Sequence, residues 1–547
     1  LRRIFYKKAR NPRRFCGNLV LPHNRIAARK RGFRVSAKLR RKARQRKRRM
    51  QQRIDKANWN GQSPMIRPEN VQYEIAERGQ AIAAGGLGAI VQLLNQLGVR
   101  QEINRSVSLL KLHLPYDEAD HVFNIALNLL AGGSCLEHLE DRRCDEAYLN
   151  AVGAQRTPDP TTAGDFCRRF SELNILQLQS GFNRIRQKVW RQQPDAFLDC
   201  AILEADGTQV ETSGEKKQGI GINYKGQWGY HPLVVTLSNT REPLFLVNRS
   251  GNRPSHEHAA FYLDLAVERC RLAGFRKIVL RGDTDFALTE NFDRWDAEGV
   301  EFVFGIDAMP NLVDIAATLP ESAWKTLRRR RRDPAPPEQQ RAKRPNSKEP
   351  IVERNGYLNK KLVAERIAEF DYQPGKCGQA YRVAVLYKEI HQTRGQLRLF
   401  DQEEPVYFFY ITNAAKSDKP ARQVVLDANA RCNQENNIAQ LKQCCLTAPL
   451  DSLLSNGAYM TIASLAWSLK AWSELLIQPC GRAASQHRAT KMQLLAMDFT
   501  TFRDRILMIP AQIIRTSRRL VYRLMSYRPS VDALLLIHAG VHRPLRC

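Results

Sequence analysis

At 547 residues and 43% hydrophobic content, the chain is too long for one small core, and no apolar run in it is long enough to span a bilayer. Its formal net charge of +31 favours a polyanionic partner, nucleic acid by default, and its basic start has no apolar stretch after it of the kind a secretory leader needs. The expectation is a soluble, non-secreted, cytoplasmic protein with no membrane partner. The twelve cysteines contain no C-x-x-C pair, and Cys444-Cys445 has the wrong spacing for a zinc knuckle, so they read as reduced, partly buried thiols.

The charge is uneven. Residues 1–54 hold 22 Lys/Arg and no Asp/Glu, which leaves +9 of the +31 for the remaining 493 residues. Residues 1–65 therefore read as a basic, disordered arm whose parts become helical when nucleic acid neutralises them. Leu1 stands where Met is usual, which points to a non-standard start or a truncated reading frame.

Residues 74–192 read as a helical N-terminal domain. Ile90, Leu93, Leu94 and Leu97 form one apolar stripe ending at Gly98; Val122, Ile125, Ala126 and Leu129 form another ending at Gly132-Gly133. A further helix opens at Thr157-Pro-Asp-Pro and runs past Arg168 and Arg169. Short helices joined by glycine turns suit a helix-turn-helix-like DNA-binding unit; the alternative is plain helical packing.

From residue 196 the period changes to that of strands. Phe197–Asp206, Gly229–Leu237 and Pro243–Asn248 read as strands, the last two as an antiparallel hairpin about Asn239–Glu242. A helix over His256–Leu272 follows, then Ile278-Val279-Leu280, a strand ending in Arg281-Gly282-Asp283. A helix near Asn291–Glu298 and a strand over Val300–Gly305 close the series. Three meandering strands, then helix, strand, helix and strand, is the order of a ribonuclease H-like α/β fold with a mixed sheet. Its first and fourth strands are neighbours, so Asp206 and Asp283 are expected to meet. The core would run over 196–306 and resume over 405–476, interrupted by a β-containing insertion over 307–404. Tyr381–Tyr387 reads as a strand of that interval and Pro405–Ile411 as a strand returning to the core, and Arg328–Pro337 is a basic, proline-rich loop. A helix over 421–445 and an apolar helix over Tyr459–Leu476 come next. Residues 477–547 read as a basic helical C-terminal region, in which Arg515, Arg518, Arg519 and Arg523 fall on one amphipathic helix suited to a phosphate backbone.

The third acid is Glu435. At about 100° per residue, Arg431, Glu435, Ile438 and Lys442 share one helix face. The bland reading is a surface Arg–Glu pair. The chemical reading is that three carboxylates can hold two Mg²⁺ (or Mn²⁺) ions about 4 Å apart, with Arg431 and Lys442 holding DNA phosphates nearby. Glu204 is a same-face rival of Asp206, and Asp285 a same-side rival of Asp283 if strand alternation continues. His256-Glu257-His258 lacks the spacing of a zinc-protease helix, and Gly219-Ile-Gly-Ile-Asn precedes no helix, so neither a zinc nor a dinucleotide site is supported.

Taken together these residues resemble a DDE transposase of a bacterial insertion sequence, of the group with a helical N-terminal domain and a β insertion before the glutamate. Asp206-Gly-Thr208 resembles the first-aspartate motif and Arg281-Gly-Asp283 the second. Gly219–Leu233 and Asn248-Arg-Ser-Gly-Asn252 resemble the hairpin region between them. Arg431, Glu435 and Lys442 match the Arg, Glu and Lys of a Tyr-Arg-Glu-Lys signature; its tyrosine position is Ala428, and Thr284-Asp285 stands where Ser-Gly is usual. The resemblance implies divalent-metal-dependent cleavage at transposon ends and strand transfer by the freed 3′-hydroxyl. It implies Asp206, Asp283 and Glu435 as ligands, duplex DNA (inverted repeats and target) as partner, a homodimer in the synaptic complex, and association with the nucleoid when DNA is bound. Two alternatives stand beside it: a catalytically inactive, element-derived DNA-binding protein, and a nuclease of the same fold without strand transfer.

Overall fold

The N-terminal helices begin and end where short-range chemistry says they should. Leu87–Leu97 stops at Gly98, whose φ of 67° is left-handed, and Val99–Ser106 starts from the same residue. Glu118–Leu130 opens on a reciprocal capping box between Asp117 and Asp120, and Glu172–Trp190 on one between Ser171 and Asn174. Pro160–Arg168 has Asp159 as its cap and proline at its first turn. Both apolar stripes expected in this region are buried.

The computed structural model describes residues 37–56, 72–73, 79–329, 359–393, 403–516, 519–525 and 527–546. Most of the 1–65 arm, Arg330–Pro337 of the basic loop, and Arg518 lie outside them. Within the arm, Ala37–Asp55 is a helix with ten Lys/Arg in its 19 residues and none of its residues buried. Its Arg46 guanidinium donates to the Leu524 carbonyl at 2.6 Å, beside the C-terminal region.

The strands are β1 (Ala81–Ile82), β2 (Cys200–Gly207), β3 (Val210–Glu211), β4 (Gly221–Ile222), β5 (Trp228–Tyr230), β6 (Leu233–Leu237), β7 (Glu242–Val247), β8 (Lys277–Gly282), β9 (Glu301–Ile306), β10 (Lys325–Thr326), β11 (Asn359–Tyr372), β12 (Tyr381–Thr393), β13 (Glu403–Thr412), β14 (Ala511–Arg515) and β15 (Leu520–Leu524). Nine of them form one sheet in the order β10-β11-β12-β13-β9-β8-β2-β6-β7. β2 pairs antiparallel with β6 and parallel with β8, and β8 pairs parallel with β9. That is the ribonuclease H-like order read from the sequence. The strands of the inserted region do not make a sheet of their own. β13 pairs with β9, so β13, β12, β11 and β10 extend the main sheet.

Four local expectations change. The strand expected over Gly229–Leu237 divides at His231-Pro232, because Pro232 has no N–H to give a ladder; β5 joins a small β3-β5-β4 sheet and β6 the main one. The helix expected from His256 begins at Ala259, after His258 in a left-handed conformation. The helix over 421–445 is two, Ala421–Asn429 and Cys432–Cys444, broken at Ala430-Arg431. The basic C-terminal helix is not a helix: β14 and β15 form an antiparallel hairpin on β1, register Ile513↔Tyr522. Ile513, Ile514, Val521 and Tyr522 are β-branched or aromatic, and burial along β14 alternates as a strand requires. The C-terminal region still carries helices, among them Ala484–Leu495 and Val531–Val541.

One helix organises the interior. Leu453–Leu475 is buried over nearly its whole length and packs against Glu118–Leu130, Pro160–Arg168, Glu172–Trp190 and β7, so the N-terminal helices and the sheet share one hydrophobic core. A buried ion pair pins the junction. Glu242 of β7 accepts from Arg186 Nε and Trp472 Nε1 on one oxygen, and from Trp190 Nε1 and Thr240 Oγ1 on the other. Among the described residues no helix is long and apolar enough to cross a membrane.

Candidate active site

The register of β2 against β8 sets the first two acids. Glu204 lies opposite Arg281 in the parallel pair, so Asp206 and Asp283, each two residues further on, emerge side by side at the same end. This is where an α/β sheet collects polar chemistry. Gly282 makes the exit possible: a Cβ there would lie 2.8 Å from Phe286 Cβ and 3.1 Å from the Phe304 ring. The chain turns at once into a 3₁₀ segment, Thr284–Phe286, capped by Asp283, whose Oδ1 accepts from the Asp285 amide at 3.2 Å.

Burial and neighbouring carboxylates raise both acids. Asp206 is pushed up to about 7, first by desolvation and next by the Asp283 charge, with Arg431 opposing. Asp283 lies above the usual carboxylate range through desolvation; Arg431 again opposes, and the charges of Asp285 and Glu435 add to the rise. Arg431 sits at the break between the two helices. Its Nη1 is 3.2 Å from Asp283 Oδ2 and its Nη2 is 3.5 Å from Glu435 Oε1. Glu435 stands on the first turn of Cys432–Cys444 with 58% of its side chain exposed. Lys442, on the same helix, lies near Asp206 and Glu211, whose charges support its protonated form while burial lowers its pKa.

The rivals separate by environment. Glu204 is 1% exposed and bound by Arg281 at 2.5 Å, while Arg281 also donates to the Asp427 carbonyl and Ser238 Oγ. It is occupied with holding β8, β2 and the end of Ala421–Asn429 together. Asp285 is exposed on the 3₁₀ turn; the strand ends at Gly282, so alternation does not place it beside Asp283. Ala428 packs in a small apolar cluster with Val303, Leu386 and Val425, facing the sheet. Arg515 and Arg519 are exposed at the tip of the β14–β15 hairpin, remote in sequence from the acids.

Two residues were not singled out from the sequence. Arg281 fixes the register of the two acid-bearing strands, and its place in the Arg-Gly-Asp motif was the available signal. His231 lies against Gly207, where an added Cβ would be 2.8 Å from its Nε2. Its Nδ1 is 2.8 Å from the Arg253 carbonyl, and burial lowers its pKa while Asp285 and Lys442 exert opposite pulls.

With this geometry in place, the profile of the transposase DDE domain, group 1, matches residues 68–544. The chain belongs to that family of DDE transposases. No curated protein sequence matches it. Among solved structures, a cryo-EM synaptic complex of piggyBac transposase with hairpin DNA is 11% identical, with 78% of this chain and 84% of that chain covered and a TM-score of 0.32. A likeness at that score adds nothing to the fold argument, which rests on strand order.

DDE transposases generally use divalent metals. Among the described residues no group of three or more His, Cys, Asp and Glu side chains is already gathered closely enough to hold a metal. The donor chemistry nevertheless fits one. Asp206, Asp283 and Glu435 would supply hard oxygens, and the two half-buried aspartates carry repulsion from neighbouring acids that Arg431 offsets only in part.

Proposed function

We propose that this transposase cleaves DNA at the ends of its own mobile element, a bacterial insertion sequence, and joins the freed 3′-hydroxyl to target DNA. The reading is carried by one observation: parallel pairing of β2 with β8 brings Asp206 and Asp283 side by side, with the helix of Glu435 above them. Asp206, Asp283 and Glu435 would hold two Mg²⁺ or Mn²⁺ ions, which when bound activate the attacking oxygen and stabilise the leaving one. The protein's own share is placement. Arg281 locks the two strands in register. Arg431 and Lys442 present cations beside the acids, where phosphates of the scissile strand need neutralising. Arg515, Arg518 and Arg519 of the C-terminal region, the 74–192 helices and the basic helix Ala37–Asp55 hold the flanking duplex. Two ends must be brought together, so the working form is a homodimer on DNA, associated with the nucleoid.

The test is a cleavage and joining assay on duplexes carrying the inverted repeats that border the gene. Wild type with Mg²⁺ should cut and join; Asp206→Asn, Asp283→Asn and Glu435→Gln should bind DNA and do neither. Equal products from wild type and Glu435→Gln would defeat the proposal. Cutting without joining would identify a nuclease, and binding without cutting by the wild type a catalytically inactive descendant.

A further inference from the structure

Arg431 makes a contact that a DNA-holding arginine does not need. Its guanidinium touches two of the three acids at once, Asp283 at 3.2 Å and Glu435 at 3.5 Å. It is not needed as a helix cap: at the start of Cys432–Cys444 its side chain makes no capping hydrogen bond. It is not buried structure either, since 29% of the side chain is exposed at the break after Ala430. A divalent ion bound by Asp283 and Glu435 would seek the oxygens that Arg431 now holds, and would meet its charge at contact distance. A phosphate offers the same guanidinium a better-matched acceptor, with two oxygens in the plane of the fork.

We propose that Arg431 is a positioning residue that makes metal binding depend on DNA: without DNA it occupies the acids in place of the metal, and with DNA it transfers to a backbone phosphate and frees them. This rests on the transposase reading and adds its regulation. It gives the half-buried, acid-rich site a reason to hold divalent ions weakly until a duplex is present. Thermodynamic linkage then requires the metal to tighten DNA binding by the same factor that DNA tightens metal binding.

The experiment uses the full chain and Mn²⁺, with free Mn²⁺ read by electron paramagnetic resonance, so that binding and not turnover is measured. Without DNA, Arg431→Gln should bind Mn²⁺ roughly 10-fold or more tightly than wild type, a typical coupling magnitude, and Arg431→Lys, which keeps the charge, should stay near wild type. Adding a short duplex from the DNA bordering the gene should raise the wild-type affinity toward that of Arg431→Gln and leave Arg431→Gln unchanged. Thermal midpoints of both variants close to wild type would show that the fold is intact. A Mn²⁺ site that is lost in Asp283→Asn yet equally strong in wild type and Arg431→Gln would overturn this inference and leave the transposase reading standing. No Mn²⁺ binding that depends on Asp206, Asp283 or Glu435, with or without DNA, would overturn both.

Discussion

Glu242 is the residue whose loss the structure makes most costly outside the acids. Its two oxygens accept four hydrogen bonds, from Arg186 Nε at 2.9 Å, Trp472 Nε1 at 2.8 Å, Trp190 Nε1 at 3.0 Å and Thr240 Oγ1 at 2.6 Å. Those four account for the acceptor capacity of a carboxylate, and both charged partners are essentially without solvent exposure. Glu242→Gln keeps the shape but replaces one acceptor oxygen by an NH₂ that faces donors. It also leaves the Arg186 guanidinium buried without a counter-charge. Breaking a buried pair from one side costs about 3–5 kcal/mol, and this one also orphans indole and hydroxyl donors, so about 4 kcal/mol or more is expected. At about 2.1 cal/mol/K per residue, a cooperative unit of this size loses roughly 4 °C of thermal midpoint for that amount. Calorimetry gives the midpoint, and urea unfolding followed by tryptophan emission gives the free energy, with Trp190 and Trp472 at the site of change. Arg186→Met combined with Glu242→Gln should recover part of the loss, because no charge remains to be paired. A single variant within about 1 kcal/mol of wild type, or a double variant no better than the single, would refute the reasoning.

Glu474 gives a pH dependence. It is fully buried and pushed up to about 7 by desolvation, with Lys470 opposing, so between about 4.5 and 7 the folded state binds more protons than the unfolded state. The contribution of Glu474 to stability is therefore greatest below pH 4.5 and is lost as pH rises to about 7. The difference between Glu474→Gln and wild type in urea should grow across that window to about 3 kcal/mol, and a difference that does not change with pH would count against the burial argument. Asp285→Asn should keep metal-dependent cleavage within about tenfold, while Asp283→Asn should lose about a thousandfold or more; comparable losses would make Asp285 the ligand. Changing Arg46, Lys47, Arg48 and Arg49 to Gln should reduce the slope of log affinity against log salt by up to about 0.9 for each phosphate no longer neutralised, measured by fluorescence anisotropy on duplex DNA. Sequence preference should not change, and an unaltered slope would remove the Ala37–Asp55 helix from the DNA surface.

The parts of this chain that were legible in its sequence are those where local pattern and topology agree. Asp206 and Asp283 could be paired in advance because each ends an apolar run, and a meander followed by a right-handed crossover leaves few ways to order the strands. The Gly98 stop and the Thr157–Pro160 helix start followed from single residues whose chemistry permits little else. In the failures, packing that the local pattern does not show decided the structure. Residues 511–524 place arginines at spacings a helix would tolerate, but β14 pairs with β15 through its β-branched and aromatic residues, and β1, more than 400 residues earlier, adds at the edge. Glu204 looked as available as Asp206 until Arg281 was placed opposite it. Asp285 looked like a continuation of β8 because nothing in the letters shows Gly282 packing on Phe286 and Phe304 to end the strand.

The same distinction bears on how the site works. Asp206 and Asp283 are fixed by the sheet: their strands are buried, in register and tied by Arg281. Glu435 is fixed by much less. It lies on a separate helix that begins just after a break in the chain, and the ion pair that holds it toward Asp283 runs through Arg431, at the break itself. In the proposed metal site, two ligands thus stand on a rigid sheet edge and the third on a separate helix that starts after the break at Ala430-Arg431. The residue at the break is also the one whose guanidinium pairs with Asp283 and Glu435. Moving Arg431 toward a phosphate would thus release the acids and permit the Glu435 helix to settle by one displacement. On that proposal DNA and metal bind cooperatively, each tightening the other by the same factor.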